Sequence, residues 1–455
     1  MKTTRIAITE RDFNALRNLI FDTPGVEGAA FLLCGQADAN LATKLIVHAV
    51  IPVASEDYAL RERYRLSITS RALMRVAKLA NYERLSVIFV HSHPGGYPDF
   101  SEQDDREEEK LMPFLQARVP NRIHGTMVVS DNSVRGRLYA PHRIPVDAVF
   151  QVGEHFRLWS STGSGDVEPF FDRQVRAFGK ETQQTLRQLT VGVVGASGTG
   201  SPSAEQAYRL GIGRILLFDG DVFDKTNINR VYGSSIADHG KHKVEILKRH
   251  LDRIGLPTEV VAVPSHISYE DAAAMLRNCD VVFSCPDKQL PRGILTNLAL
   301  KYCIPVFDLG VLIDSKNDRI RNVYGRVTTL FPGEACLFCR GRISVDAIRV
   351  ETLSPEERKA QIEEGYAPEL EGTAPSVISF TTTVASTAVT ELLHRLTGFM
   401  GKDRASTEVL LAFDESRMRT NRLAPLEDCF CSERSQWGRG DETPLLGMVW
   451  PSRTK

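Results

Sequence analysis

The sequence predicts an α/β protein of two domains, in which the larger, C-terminal domain has a mostly parallel sheet covered by helices. Strand-like apolar runs alternate with helix-like segments between residues 189 and 309, the order typical of a parallel sheet. One of these runs, Thr190–Val194, ends in a glycine cluster, as a buried strand before a helix does. Because 455 residues are too many for one ordinary core, we expect two domains and a linker, at residues 1–150, 169–455 and 151–168 respectively.

The composition is that of an ordinary soluble protein. Hydrophobic residues make up 42% of the chain, charged residues 25%, and the formal net charge is -1, so no basic excess favours nucleic acid as a partner. The N-terminal stretch alternates charged with apolar residues, unlike a signal peptide, and no apolar run approaches the roughly 18 residues that span a membrane. We therefore expect a cytoplasmic protein without nucleic-acid or membrane partners.

Apolar periodicity predicts the elements of the N-terminal domain. A strand-like start at Ile6 precedes an amphipathic helix, which Thr23-Pro-Gly25 ends. The expected elements after this start are a helix at residues 10–22, strands at 26–35 and 45–53, a helix at 70–81 and a strand at 85–90.

Two histidines stand at the end of the last of these strands. His91 and His93 are two positions apart and therefore point to the same side, and Asp104 follows a Gly/Pro loop. Two imidazoles and a carboxylate suit a zinc site with one position left for water, the arrangement of a hydrolytic centre. A second interpretation stays open, in which Ser101 and Asp104 form a helix N-cap pair and the histidines are a polar strand end.

The pattern His-x-His, ten residues, Asp resembles the JAMM/MPN metalloprotease family, and the resemblance covers residues 1–145. It implies an α/β domain whose catalytic zinc is bound by His91, His93 and Asp104 and which cleaves peptide or isopeptide bonds. It also implies that Glu27 activates the water and that Ser101 supports the oxyanion.

A flexible linker is expected where the apolar pattern weakens. The segment Trp159–Gly165 is rich in serine and glycine, which places a domain boundary near residue 160.

The glycine cluster of the C-terminal domain has the form G-x-x-G-x-G, with Gly195, Gly198 and Gly200. Glycines between a strand and a helix let the backbone and the helix N-terminal amides approach an anion such as a phosphate ester. The next strand ends at Asp219-Gly-Asp221, where a carboxylate can bind ribose hydroxyls. Polar and cationic groups suited to a triphosphate follow: Asn227, Asn229, Arg230 and Lys243. The glycine loop taken alone is also compatible with a turn that binds no ligand.

This set of residues resembles the ThiF/MoeB-like adenylyltransferases, which include the activating enzymes of ubiquitin and its relatives. The resemblance implies a Rossmann-like domain that uses ATP and magnesium to adenylate the C-terminal glycine of a small protein, and a homodimer formed through this domain. It assigns the glycine loop and Asn227, Arg230 and Lys243 to the phosphates, Asp219 to the ribose, Arg173 to the site of a second subunit and Asp287 to magnesium. Two positions depart from the family, Ser197 in place of glycine and Lys288 in place of asparagine.

Cysteine clustering indicates a metal site. Eight cysteines are too few for a disulfide scaffold in a chain of this length. Two close pairs can form a closed tetrahedral zinc site with a structural role, although the second pair has one intervening residue where the family usually has two. The four predicted ligands are Cys336, Cys339, Cys429 and Cys431.

The family's thioester-forming cysteine has no counterpart here. The comparable segment, Glu371–Phe380, contains no cysteine, and Ser376 stands about where the thiol would be. A hydroxyl is a weaker nucleophile and needs a base. Two interpretations stay open: Ser376 as ordinary loop polarity, or Ser376 as the acceptor of an oxyester.

Together the two resemblances predict a bifunctional enzyme of a bacterial-type ubiquitin-like pathway. One domain would adenylate the C-terminus of a ubiquitin-like protein, and the other would cut next to such a protein, to mature or to deconjugate it; a conjugating enzyme is a further expected partner. Two alternatives stay open: activation of a sulfur-carrier protein for cofactor or tRNA thiolation, and a binding scaffold with both sites inactive.

Overall fold

The computed structural model describes residues 2–140, 142–161, 165–317, 319–363, 375–401 and 404–441. The chain forms two compact units. Unit 1 contains residues 2–161 together with 300–303 and the segment that begins at Arg434, and unit 2 contains 165–299 and 304–433. Among the helices of these described ranges, none combines the length and apolar character that crossing a membrane requires.

Unit 1 is an α/β unit whose elements agree in kind with those predicted. Its strands and helices are, in chain order, β1 Thr3–Thr9, α1 Glu10–Ile20, β2 Ala29–Asp38, β3 Ala42–Pro52, β4 Tyr58–Arg61, β5 Leu66–Ile68, α2 Ser70–Glu83, β6 Ser86–Ser92, α3 Glu102–Arg118, β7 His124–Val129, β8 Val134–Tyr139, β9 Arg143–Pro145, β10 Ala148–Val152 and β11 Arg157–Ser160.

The sheet of unit 1 has helices on both faces. In the described residues its strand order is β11-β10-β1-β3-β2-β6-β7-β8-β9. Phe13, Leu16 and Ile20 of α1 pack on one face, and the buried apolar residues of α2 and α3 pack on the other. The sheet brings β2 beside β6 with Ala29 opposite His91, so the residues just before β2 lie near the two histidines.

The predicted linker begins later than residue 151. Strands β10 and β11 pair in antiparallel fashion, with Val149 opposite Trp159. The indole of Trp159 also packs against Phe13, with ring centroids 4.6 Å apart. The prediction was therefore wrong for residues 151–160, because the apolar residues of β11 add an edge strand to the sheet despite the serines and glycines that follow.

Unit 2 contains the strand–helix alternation that the sequence predicts. Its elements are α4 Asp172–Phe178, α5 Lys180–Gln188, β12 Thr190–Val194, α6 Gly200–Arg209, β13 Arg214–Phe218, α7 Lys243–Ile254, β14 Glu259–Val263, α8 Glu270–Met275, β15 Val281–Ser284, α9 Gln289–Lys301, β16 Val306–Lys316, β17 Arg319–Leu330, α10 Val345–Thr352, α11 Pro355–Glu363, α12 Ile378–Thr397, β18 Glu408–Ala412 and β19 Arg417–Asn421.

The sheet of unit 2 is mostly parallel, which confirms the predicted fold class. Its order in the described residues is β14-β13-β12-β15-β16-β17-β18-β19; the first five strands are parallel and the last three pair antiparallel. Strand β12 is fully buried, as a central parallel strand should be. The carboxyl ends of β13, β12 and β15 lie side by side, so Asp219, the glycine loop and Asp287 follow neighbouring strands at one edge.

Candidate active sites

Unit 1 brings together the three predicted metal ligands. His91 Nε2 lies 3.1 Å from His93 Nε2 and 3.0 Å from Asp104 Oδ1, and His93 Nε2 lies 3.6 Å from Asp104 Oδ2. In a tetrahedral site with zinc bonds of about 2.0–2.1 Å, ligand atoms lie about 3.3 Å apart, so this donor set fits zinc. The histidines are only 5% and 8% exposed, which does not suit a solvated strand end.

The environment of the ligands favours a metal-binding state. Burial lowers the pKa of His93, which keeps its imidazole neutral as metal binding requires. Burial alone would raise the pKa of Asp104, but hydrogen bonds from His91 and Ser101 hold it well below the usual range. Asp104 is therefore a carboxylate beside the neutral imidazole of His93.

Ser101 has the N-cap role that the alternative interpretation assigned to it, and the cap coexists with the cluster. Its backbone N–H donates to Asp104 Oδ2 at 2.6 Å, its hydroxyl donates to the same oxygen at 2.8 Å, and Asp104 N donates back to Ser101 Oγ at 3.3 Å. This capping box begins α3 and aims the Asp104 carboxylate at His91. The cap thus positions a predicted metal ligand.

Glu27 lies beside the cluster, where a general base would be needed. It is 7% exposed, and burial raises its pKa to about 7; the charge of His91 lowers that pKa and the charge of Asp104 raises it. Its neighbour Gly28 is held to β6 by a hydrogen bond of 2.9 Å from the Gly28 N–H to Ser92 Oγ. A carboxyl group with a pKa near 7 suits proton transfer at neutral pH.

A groove of about 340 Å³ adjoins His91 and Asp104. Sequence reasoning did not predict this groove, because most of its walls come from four separate elements, β5, α2, β6 and α3. Its apolar walls and its position suit a polypeptide substrate near the metal ligands. Its apolar lining residues are Leu66, Ile68, Leu73, Phe89, Leu111 and Phe114.

In unit 2 the glycine loop has the backbone shape that only glycine allows at two positions. Gly195 has a φ of 92°, and a Cβ there would lie 2.8 Å from the carbonyl oxygen of Cys285. A Cβ at Gly200 would lie 1.7 Å from the Gly195 carbonyl oxygen. The loop therefore turns tightly into α6, which begins at Gly200 and directs its first amides toward the loop.

Two carboxylates and a lysine lie next to this loop. Asp219 accepts from Ala196 N at 2.7 Å and from Asp221 N at 2.8 Å, and burial raises its pKa. Lys243, the first residue of α7, donates to Asp221 Oδ2 at 2.8 Å and is only 8% exposed. The predicted ribose and phosphate groups are thus close together at one edge of the sheet.

Of the next predicted phosphate-contacting residues, Arg230 lies beside the glycine loop, whereas Asn227 forms a hydrogen bond within its own turn. Arg230 lies beside the loop, since its Cδ is 3.5 Å from the point where Gly198 would have a Cβ; its guanidinium donates to Thr226 O at 2.9 Å and to Asn229 Oδ1 at 3.1 Å. Asn227 instead accepts from Asp224 N at 3.2 Å and caps its own short 3-10 helix.

Three further predicted residues, Arg173, Asp287 and Ser376, have fewer contacts with the predicted nucleotide-binding residues. Arg173 is exposed near the start of α4 and Asp287 is exposed after β15; in the described residues neither forms a hydrogen bond with the predicted nucleotide-binding groups. Ser376 lies before α12 with its Oγ 3.3 Å from the Cβ position of Gly198, and no imidazole or carboxylate among the described residues hydrogen-bonds it. Residues 371–374 of its segment lie outside the described residues.

Sequence reasoning did not predict that His266 and Lys288 lie near Asp221. His266 Nε2 lies 3.5 Å from Asp221 Oδ1. Burial raises the pKa of Asp221, but Lys243, His266 and Lys288 together lower it below its usual value. In the sequence, His266 is visible only as a histidine just after β14, and Lys288 only as a lysine where the family usually has asparagine. Neither position indicates Asp221 as a neighbour until the fold is known.

The four predicted cysteine ligands come together in unit 2. Their Sγ atoms are separated by 3.7 Å (Cys336 and Cys339), 3.5 Å (Cys336 and Cys429) and 3.4 Å (Cys339 and Cys431). A tetrahedral site with zinc–sulfur bonds of about 2.3 Å places its sulfurs about 3.8 Å apart, so the donor set fits zinc. The short spacing of the second pair does not prevent the cluster.

We expect Cys336→Ser to lower the bound zinc by about one ion per chain and to destabilise unit 2, because a closed thiolate site contributes directly to folding. Metal analysis and thermal unfolding of the full chain measure both effects. Cys34→Ala, at a buried cysteine of unit 1, is the control and should retain the ion. Equal zinc content in Cys336→Ser and the unmodified protein would contradict the assignment.

The fold and these clusters define a two-part α/β protein with a glycine loop of the nucleotide-binding type in one unit and a group of possible metal ligands in the other. A model of the ThiF family matches residues 171–432, more than half of the chain, and a model of prokaryotic homologs of the JAB domain matches residues 10–136. The chain belongs to the ThiF family, and it joins an N-terminal JAB domain to a C-terminal ThiF adenylyltransferase-like domain.

Characterised relatives match shorter stretches. The tRNA threonylcarbamoyladenosine dehydratase of Bacillus subtilis (strain 168) is 42% identical over 93 residues, 20% of this chain and 37% of the relative. The adenylyltransferase and sulfurtransferase UBA4 of Meyerozyma guilliermondii is 32% identical over 133 residues, 29% of this chain and 31% of the relative. This chain thus spans about a third of the length of each relative.

Among solved structures, E. coli MccB with MccA-N7isoASN is similar at 17% identity with a TM-score of 0.46, covering 59% of this chain and 76% of that one. E. coli MccB with ATP is similar at 17% identity with a TM-score of 0.45, covering 59% and 75%.

Proposed function

We propose that unit 2 adenylates the C-terminal carboxylate of a small ubiquitin-like protein with ATP and magnesium, and that unit 1 is a zinc-dependent hydrolase of peptide or isopeptide bonds next to such a terminus. The observation that supports this most is that each unit gathers several of its predicted charged groups at one place. Asp219, Asp221 and Lys243 lie around the glycine loop, and Glu27 lies beside the two histidines and Asp104.

In the adenylation step a carboxylate oxygen attacks the α-phosphorus of ATP, an acyl-phosphate bond forms, and pyrophosphate leaves. The loop amides and the Lys243 ammonium would hold negative phosphate oxygens, and Arg230, beside Gly198, would add a second cation. Asp219 would orient the ribose and Asp287 would hold magnesium, which neutralises phosphate charge when bound. In a homodimer Arg173 would reach the site of the second subunit.

In the hydrolysis step His91, His93 and Asp104 would hold zinc, which when bound polarises the scissile carbonyl and acidifies a water. Glu27 accepts the proton of the attacking water and passes it to the leaving nitrogen. Ser101 would donate to the oxygen of the tetrahedral intermediate. Because its hydroxyl donates to Asp104 Oδ2 in the structure, Ser101 must exchange that hydrogen bond to do so.

We expect Glu27→Gln to lower the cleavage rate by about 10²- to 10⁴-fold with zinc content unchanged, because the amide cannot accept the proton. The unmodified protein should cleave faster as pH rises, since Glu27 acts as a base only after it loses its proton. The pKa of Glu27, about 7, sets the highest pH at which this rise is centred. A bound dication lowers the pKa of Glu27 and moves the rise to lower pH. Cleavage of a fluorogenic peptide fusion across pH 5–8 measures both effects. Glu109→Gln, at an exposed residue of α3, is the control, and unchanged cleavage by Glu27→Gln would rule out the assigned base.

The names of the relatives suggest other acceptors for the same activation. UBA4 is an adenylyltransferase and sulfurtransferase, which favours a sulfur-carrier protein as the alternative substrate. The B. subtilis relative is a tRNA threonylcarbamoyladenosine dehydratase, which makes a tRNA nucleoside the second alternative.

Exchange of labelled pyrophosphate into ATP distinguishes a protein substrate from a tRNA substrate. We expect exchange only with a small protein that has a free C-terminus, and none when that terminus is amidated. Exchange with tRNA in place of protein would overturn the proposal in favour of the nucleoside substrate. Exchange with neither, together with no bound metal, would support the inactive scaffold.

A further inference from the structure

Residues 434–441, here called the 434–441 segment, pack as part of unit 1 although they follow unit 2 in the chain. Strand β2 pairs with β6 from Ala29 only to Cys34, so the last residues of β2 lack that neighbour. The 434–441 segment takes this place: Gly35 N donates to Gly438 O at 3.1 Å, and Asp441 N donates to Gln36 O at 2.8 Å. Gln36 and Gly440 form a parallel bridge.

The other side of the 434–441 segment is paired as well. Gly438 N donates to Leu300 O at 3.0 Å, and Gly440 N donates to Lys301 O at 2.9 Å. The backbone of the segment is therefore hydrogen-bonded on both sides, as a strand inside a sheet is.

Glycines make this close approach possible. A Cβ at Gly438, where φ is 64°, would lie 2.3 Å from Val47 O, and a Cβ at Gly440 would lie 2.5 Å from Gln36 O. A Cβ at Gly35, on the opposite strand, would lie 2.3 Å from Gly438 O. Three glycines on two distant parts of the chain thus meet where any side chain would separate the backbones.

Side chains fix the segment at both ends. Trp437 is 3% exposed, and its carbonyl oxygen lies 2.7 Å from His48 Nδ1. Arg439 donates to the Glu83 carboxylate at 3.1 Å, and Arg434 donates to Asp12 at 2.9 Å. The Asp441 carboxylate accepts from Asp38 N at 3.0 Å and from Tyr302 at 2.7 Å.

We propose that unit 1 has a peptide-binding surface, formed by the end of β2 and residues 300–303, whose occupant is the 434–441 segment of this chain. The metal-binding unit is then not a self-sufficient N-terminal domain. Its sheet is completed only when the chain has been made to residue 441. Resting on the proposed function of unit 1, the inference extends to activity: cleavage depends on synthesis of the ThiF part. A fragment that ends at residue 161 would expose the backbone groups of Gly35 and Gln36 and lose the buried Trp437.

Hydrogen–deuterium exchange of the full chain tests this proposal with a matched pair of variants. Gly438→Ala adds a methyl group at a φ of 64° and forces it against Val47; Gly398→Ala adds the same group at a φ of 69°, where nothing lies within 4 Å. We expect Gly438→Ala to speed amide exchange in β2 and β3 by about tenfold or more, because local opening becomes easier, and to leave β12 and β15 unchanged. Gly398→Ala should leave β2 and β3 unchanged.

A chain that ends at Glu433 provides the second arm and keeps the proposal falsifiable if Gly438→Ala does not accumulate. We expect β2 and β3 of this shortened chain to exchange rapidly while β12 and β15 remain protected, which also shows that unit 2 has folded. If β2 and β3 were as well protected in Gly438→Ala or in the shortened chain as they are in the unmodified full chain, the proposal would be overturned.

Discussion

Replacing Lys243 with alanine should lower pyrophosphate exchange by about 10³-fold, the largest loss we expect from a single change in unit 2. Lys243 is the first residue of α7 and is 8% exposed, so its ammonium is held at the edge of the glycine loop with little access to water. Without it, Asp221 would lose the ammonium that hydrogen-bonds it, and the carboxylates of Asp219 and Asp221 would repel the phosphates more strongly. ATP should therefore bind more weakly, and the negative charge that develops on the leaving pyrophosphate should be less stabilised.

The control for this change lies on the same helix. Lys248 lies on α7 with its side chain 39% exposed and pairs with Asp252 at 2.9 Å, so Lys248→Ala should leave exchange within about twofold of the unmodified protein. Peptide cleavage by Lys243→Ala should be normal, which separates a local effect from unfolding. An exchange rate of Lys243→Ala within threefold of the unmodified protein would mean that the phosphates bind elsewhere.

The second large effect is expected for His91→Ala in unit 1. This change removes one of three ligand atoms that lie within 4.8 Å of one another, so zinc affinity and cleavage should each fall by about 10²-fold or more. Pyrophosphate exchange should remain, because the nucleotide-type loop lies in unit 2. Metal analysis after dialysis and a cleavage assay measure the two losses.

His142→Ala serves as the control, since His142 is an exposed histidine of the same unit. It should retain both zinc and cleavage. If His91→Ala cleaved at the rate of the unmodified protein, cleavage would not depend on the proposed zinc site, whether or not zinc still bound.

Local patterns predicted the parts of the fold that local sequence determines. Strand β12 spans Thr190–Val194, the residues predicted, because a short apolar run that ends in a glycine cluster favours a buried strand. The cluster of His91, His93 and Asp104 was predictable because strand alternation fixes the side to which both histidines point. The four cysteines were found from their pairing alone.

Contacts between distant parts of the chain could not be predicted in the same way. The 434–441 segment has no period that marks it as a strand, and its partners are backbone groups of β2 that have no sequence signature. Asn227 was expected to face phosphates, but Asp224-x-x-Asn227 forms a capping box, a local alternative that the sequence interpretation did not weigh. Trp159 joined the sheet because burial of its indole outweighed the polar residues after it.

One reaction tests the central claim that a single chain both releases and activates a carboxyl terminus. A small protein encoded beside this one, made with a C-terminal extension, is incubated with ATP and zinc, and pyrophosphate exchange and the intact mass of the small protein are followed together. The unmodified enzyme should remove the extension and then support exchange; His91→Ala should do neither, yet support full exchange once the trimmed protein is supplied. Equal exchange by both enzymes with the extended protein, or none by either with the trimmed one, would contradict the account.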